Sequence, residues 1–139
     1  MKKKSERQIV YERAWKYAKD NFCEILVIVG EYDSGQRCQH ISRQLLEKNN
    51  EALVVVTLSF VPKSGVNVHF INNVDGKYID NTLGYLSKKN TYFLISQHSL
   101  SDIKCVDMNK MLVKKKEKML NILFTKDEIT ELGIKISHI

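Results

Sequence analysis

The apolar positions change period along the chain, and the change outlines its elements. Over residues 5–21, Ile9, Val10, Ala14, Trp15, Tyr17 and Ala18 fall near i, i+4, i+5 and i+8, the stripe of an amphipathic helix. Ser5 stands where its N-cap is expected. Residues 24–29 are apolar and β-branched and predict a strand. A polar loop with two glycines covers 30–35. Residues 36–48 predict a helix with Cys38, Ile41, Leu45 and Leu46 on its apolar face, stopped by Asn49 and Asn50. From residue 52 the period becomes two. A strand over 52–60, a turn at 62–65, and two strands over 66–72 and 77–83 follow. The last two flank Asp75-Gly76, the strongest short hairpin signal in the chain. Residues 91–97 predict another strand. Residues 107–124 predict a helix with Met108, Met111, Leu112, Met119, Leu120 and Leu123 inward. Thr125 then caps a short final helix through Asp127, Glu128 and Ile129.

No repeat, low-complexity tract or linker divides the pattern, so the 139 residues predict a single domain, 1–139. That length supports a core without disulfide staples. Apolar runs reach only about six residues, against roughly 20 needed to span a bilayer. The start, Met1-Lys2-Lys3-Lys4-Ser5-Glu6-Arg7, leads into a polar amphipathic stretch rather than a secretory signal. Cys23, Cys38 and Cys105 make an odd set without a CxxC, which suits a reducing compartment. No Cys/His group has zinc spacing. A cytoplasmic protein with no membrane segment, no metal and no cofactor is therefore expected.

The net charge of +6 is unevenly spread. Residues 20–80 hold eight acidic and five basic side chains. The positive charge lies at the ends: Lys2, Lys3, Lys4 and Arg7, then Lys104, Lys110, Lys114, Lys115, Lys116 and Lys118. A solvated helix face accounts for the second run. It has no interleaved aromatics to stack bases, which argues against nucleic acid as a partner.

Three residues carry candidate chemistry: Cys38, His69 and Asp80. A thiol nucleophile needs a base, and the base needs a group that holds its tautomer. Cys38 falls in the first turn of its helix, where the dipole and free amides favour a thiolate and can hold an oxyanion. The hairpin sets a parity condition. With Asp75-Gly76 as a two-residue turn, Val74 faces Lys77 and Ile71 faces Asp80, so His69 and Asp80 share a face as diagonal neighbours. A three-residue loop would separate them onto opposite faces. Each residue alone has a blander reading: a buried small side chain, a satisfied strand histidine, a strand-end carboxylate. Asn81 and Thr82 read as strand-end hydrogen bonders. Cys23 and Cys105 read as structural, and His40, His98 and His138 as surface residues.

Gly35-Gln36-Arg37-Cys38 opening a helix resembles the cysteine segment of transglutaminase-like and papain-like thiol enzymes. So do His69 on one strand and Asp75-Gly76-Lys77-Tyr78-Ile79-Asp80-Asn81-Thr82 on the next. The resemblance covers about residues 34–97. It implies an α+β fold, with the cysteine-bearing helix packed on an antiparallel β-sheet that carries His and Asp. The helices expected at the N- and C-termini flank this core. It implies Cys38 as nucleophile, His69 as general base and acid, and Asp80 as its orienter. Gln36 is the first candidate for an oxyanion or substrate donor and Tyr32 the second. The family's usual tryptophan near the His is absent, and Phe70 follows directly.

The resulting expectation is a thiol-dependent hydrolase or acyl transferase acting on an amide bond: peptidase, deamidase or transamidase. Its partner would be a protein or peptide substrate. The alternative is a catalytically inactive protein of the same fold that binds a partner protein through the Lys-rich helix or the sheet edge. A phosphate loop at 30–35 is disfavoured, because Gln36-Arg37 stands where Lys and Ser/Thr belong and Glu31 and Asp33 would repel phosphate. The sequence leaves substrate and oligomeric state open.

Overall fold

The computed structural model describes residues 3–139. Met1 and Lys2, part of the basic N-terminal end, lie outside the described residues. Helix α1, Glu6–Asn21, starts where the Ser5 hydroxyl accepts the Gln8 amide at 3.2 Å. Its stripe buries Val10, Ala14 and Ala18 completely. Tyr11 and Trp15 meet Phe60 edge-on, with ring centroids 5.2 and 5.0 Å apart, a geometry aromatic quadrupoles favour.

Residues 24–29 do not form the one strand their composition predicts. They make β1, Cys23–Ile25, and β2, Val27–Val29, broken at Leu26, which is 88% exposed. The other strands are β3 (Leu53–Val61), β4 (Gly65–Val74), β5 (Lys77–Asp80) and β6 (Thr91–His98). The sheet order is β1-β6-β3-β4-β5-β2. β1 runs antiparallel to β6 at one edge, and β2 runs parallel to β5 at the other. One residue therefore joins the two edges, and the sheet must curl. The fold is α+β, a curled six-stranded sheet with helices.

The curl makes two apolar layers. Inside it, Val55, Ile71 and Tyr92 pack with Ile25, Val27, Tyr78 and Leu94. On the other face, Val54, Val56, Leu58, Val68 and Phe70 pack against the helices. Helix α2, Cys38–Lys48, lies there with Leu46 fully buried. It begins two residues later than its apolar pattern suggested. Helix α3, Leu100–Ile103, was not read from sequence and rests on a Ser99–Asp102 capping box. Helix α4, Met108–Leu123, buries Met108, Met119, Leu120 and Leu123, and α5, Lys126–Leu132, starts at the Thr125–Glu128 capping box. Among the described residues no helix is long and apolar enough to cross a membrane.

The hairpin that matters for chemistry has the two-residue turn. Val74 pairs with Lys77, Asn73 with Tyr78 and Asn72 with Ile79. Asp75 and Gly76 take φ of 53° and 83°, the doubly left-handed turn whose twist matches antiparallel strands and which favours glycine. The strand expected to reach residue 83 stops at Asp80, and residues 84–87 form a 3-10 turn.

Candidate active site

Asp80 is fully buried at the end of β5. Its Oδ1 accepts the Thr82 and Leu83 amides, both at 2.9 Å. Its Oδ2 joins His69 Nε2 at 2.8 Å and accepts the Tyr92 hydroxyl at 2.6 Å. His69, on β4, is two residues before the position opposite Asp80. That is the diagonal placement the turn parity requires. The glycine loop fixes this corner from outside. Gly30 donates to the Asp80 carbonyl at 3.1 Å, Glu31 to Asn81 Oδ1 at 3.1 Å and Asp33 to the Thr82 carbonyl at 2.8 Å. A Cβ at Gly30 would stand 2.6 Å from the Asp80 carbonyl oxygen, so the close approach needs glycine.

Cys38 is the first residue of α2. Asp33 steers the chain into that helix, its carboxylate accepting the Arg37 amide at 3.1 Å. Arg37, at the N-cap, provides no side-chain cap. Among the described residues the amides of Cys38 and Gln39 have no acceptor, so two donors open the helix unused. Buried Asn72 holds α2 to the sheet, donating to the Ser42 carbonyl at 2.9 Å and the Leu53 carbonyl at 3.2 Å. Arg43 ties its other side to the carbonyls of Ile103, Lys104 and Val106 at 3.1, 2.8 and 2.7 Å.

With Nε2 committed to Asp80, the second ring nitrogen of His69 is the one left to face Cys38, whose thiol donates to Gln39 Oε1 at 3.8 Å. Burial pushes the thiol up, but the His69 hydrogen bond and charge more than offset it, and Cys38 titrates below its ordinary range. Burial pushes the His69 imidazolium down, yet its bonds to Asp80 and Cys38 raise it to about 10. Burial raises Asp80, and His69 and Tyr92 outweigh that and hold it at about 2. Burial and the Asp80 charge push the Tyr92 phenol far above its usual range, so it remains a neutral donor. Near neutral pH His69 is held as an imidazolium and Asp80 as a carboxylate, and Cys38 is biased toward the thiolate.

Cys38 and His69 open onto a groove of about 500 Å³. Gln36, Gln39, Asn90, Leu86 and Lys116 are among its walls. Gln36, the first oxyanion candidate, is one of these walls and has a left-handed conformation with φ of 50°. Tyr32 does not line the groove: it bridges to Leu83, and its ring meets Tyr85 at a tilt of 44° with centroids 5.8 Å apart. A pocket of about 560 Å³ between α1 and the β3–β4 turn holds neither Cys nor His. Cys23 and Cys105, read as structural, are exposed. His40, His98 and His138, read as surface residues, are half-buried. Asn81 hydrogen-bonds as expected, whereas Thr82 reaches the groove.

Tyr92 escaped the reading of the sequence. Its signal was a polar-tipped aromatic in an apolar strand, a residue type that finds a partner when buried. Among the described residues no three His, Cys, Asp or Glu side chains converge as a metal site would require.

No family model matches the chain, and no solved structure matches it. Over 85 residues, 58% of this chain, it is 38% identical to a glucose-6-phosphate isomerase of Wigglesworthia glossinidia brevipalpis. The chain spans about 15% of that relative's length. So small a share carries neither family nor activity over to this protein.

Proposed function

We propose that the protein is a thiol-dependent hydrolase or acyl transferase acting on an amide bond, built on a transglutaminase-like or papain-like core. The observation that carries this reading is the His69–Asp80 hydrogen bond of 2.8 Å beneath Cys38, with every acceptor position of the carboxylate filled. A carboxylate so placed fixes the imidazole with Nε2–H toward Asp80 and Nδ1 toward the thiol. In the first step the Cys38 thiolate bonds to the amide carbonyl carbon. The negative charge that develops on the oxygen meets the Cys38 amide, with the Gln36 side chain as second donor. His69 then gives its proton to the leaving nitrogen as the C–N bond breaks, leaving a thioester. Water, or an amine in a transfer reaction, loses a proton to His69 and attacks the thioester carbonyl, and the thiolate is restored. A peptide or protein is the substrate class, and a cytoplasmic setting suits three free thiols, two of them exposed.

A second reading, an inactive binding module of the same fold, draws on one observation. Leu26, Ile28, Val29, Tyr32, Tyr85 and Leu86 expose an apolar strip, with Tyr85 69% accessible. Iodoacetamide at pH 6 separates the two. An activated thiolate alkylates there, and an ordinary thiol of pKa about 8.5 reacts slowly. The fast reaction should vanish in Cys38→Ala and persist in Cys23→Ala and Cys105→Ala. Fast labelling that survives Cys38→Ala would sink the enzymatic reading.

A further inference from the structure

The groove over Cys38 has a charge asymmetry. Among the described residues Lys116 is the one side chain with a permanent charge in its walls, and no Asp or Glu lines it. Asp80 carries its charge beneath His69, sealed from solvent. Lys116 is half-buried on the face of α4 that also sends Leu112 into the groove. One turn away along the helix stand Leu112, Val113, Met119 and Leu120, so no carboxylate is within helical reach. Among the described residues Lys116 makes no ion pair.

Whether the proton between Cys38 and His69 sits on the sulfur or on the ring, the site carries one net negative charge with the Asp80 carboxylate. An anionic group entering the groove would be repelled unless a cation met it. Resting on the thiol-enzyme reading above, we infer that Lys116 is a specificity residue that selects an acidic side chain beside the amide under attack, so that the substrates are acidic peptides. The remaining walls fit an extended chain. Asn90 offers an amide group, Leu86 and Leu112 offer apolar contact, and the Gln39 amide is held by Asn109 Oδ1 at 2.9 Å. The buried Asn90 Nδ2 has no hydrogen-bond partner among the described residues. Lys114 lies on the opposite side of α4 and lines other surface pockets. It matches Lys116 in charge but not in position.

The probe is a set of acetylated tripeptide chloromethyl ketones, alanine throughout, with Glu or its neutral isostere Gln placed at each position in turn. The rate of Cys38 alkylation at pH 6 is followed by mass spectrometry on the intact protein. At one position Glu should outpace Gln by about five- to tenfold, the worth of a partly shielded charge contact. That ratio should fall to about one in Lys116→Met, invert in Lys116→Glu, and persist in Lys114→Met. A ratio near one at every position in the wild type overturns the inference. So does a ratio that survives Lys116→Met, or one that Lys114→Met removes equally. In those cases rapid alkylation of Cys38 by the Gln peptides leaves the thiol-enzyme reading standing. If Cys38 alkylates no faster than Cys23 and Cys105, that reading fails and the inference falls with it.

Discussion

Asp80→Asn changes two atoms and tests the whole line of charge. The new amide keeps its oxygen on the Thr82 and Leu83 amides, which Asp80 Oδ1 accepts at 2.9 Å. Its NH2 then faces His69 Nε2 and the Tyr92 hydroxyl, where a carboxylate oxygen had accepted at 2.8 and 2.6 Å. A neutral imidazole satisfies that donor only by moving its proton to the other nitrogen. It then shows Cys38 an N–H and cannot take the thiol proton. The thiolate fraction at pH 6 falls, and the greater nucleophilicity of a more basic thiolate returns part of this. Iodoacetamide labelling at pH 6 should therefore drop by about tenfold. Stability should fall as well. The Asp80 pKa drops from 3.8 to about 2 on folding, which is worth about 2 kcal/mol at about 1.36 kcal/mol per tenfold. Because the folded value is the lower one, this stabilisation is present above pH 3.8 and disappears as pH falls through about 2. The same bond seen from His69 has the opposite sign. Its value rises from 6.5 to about 10, so its stabilisation is full below 6.5 and is lost as pH rises through about 10. Urea unfolding should show the variant about 2 kcal/mol weaker at pH 7, with the gap closing toward pH 2. An Asp80→Asn protein that labels and unfolds like the wild type would refute the triad.

Tyr92→Phe removes the 2.6 Å hydrogen bond and leaves Oδ2 to His69 alone. Unfolding should cost about 1–2 kcal/mol less, and labelling at pH 6 should fall less than in Asp80→Asn; an equal fall would mean that Tyr92 controls the imidazole itself. Gly30→Ala drives a methyl group against the Asp80 carbonyl and the Asn81 side chain. The loop must shift, lowering stability by about 1–3 kcal/mol and slowing labelling in step. An unchanged Tm in that variant would contradict the close approach.

What the sequence made legible was local. Asp75-Gly76 specifies its own turn, and the turn specifies the register of β4 and β5 without help from the rest of the chain. Ser5 and Thr125 cap helices through side-chain bonds that span three residues. The miss at 24–29 has the opposite character. Its β-branched residues read as one strand, yet one half pairs with β6 and the other with β5, each about 50 or more residues away. Nothing near Leu26 in sequence encodes that the two sheet edges meet there.

The site divides along the same line. His69 and Asp80 belong to one hairpin, so period and turn type suffice to bring them together. Cys38 arrives by a different route. α2 is held because Asn72 bonds the Ser42 carbonyl and Arg43 collects three carbonyls at and just after the end of α3. These anchors are polar contacts over 30 residues and more, and no periodicity reports them. Tyr32 illustrates the limit. It lies six residues before Cys38, as close to it in sequence as a loop donor should be, but its backbone pairs with Leu83 and it does not line the groove. Tyr92 is the converse, 54 residues after Cys38 and joined to the triad through Asp80. The hairpin supplies a base and its orienter, and only tertiary packing supplies the thiol. Loosening α2 should therefore cost thiolate character while leaving the His69–Asp80 bond intact.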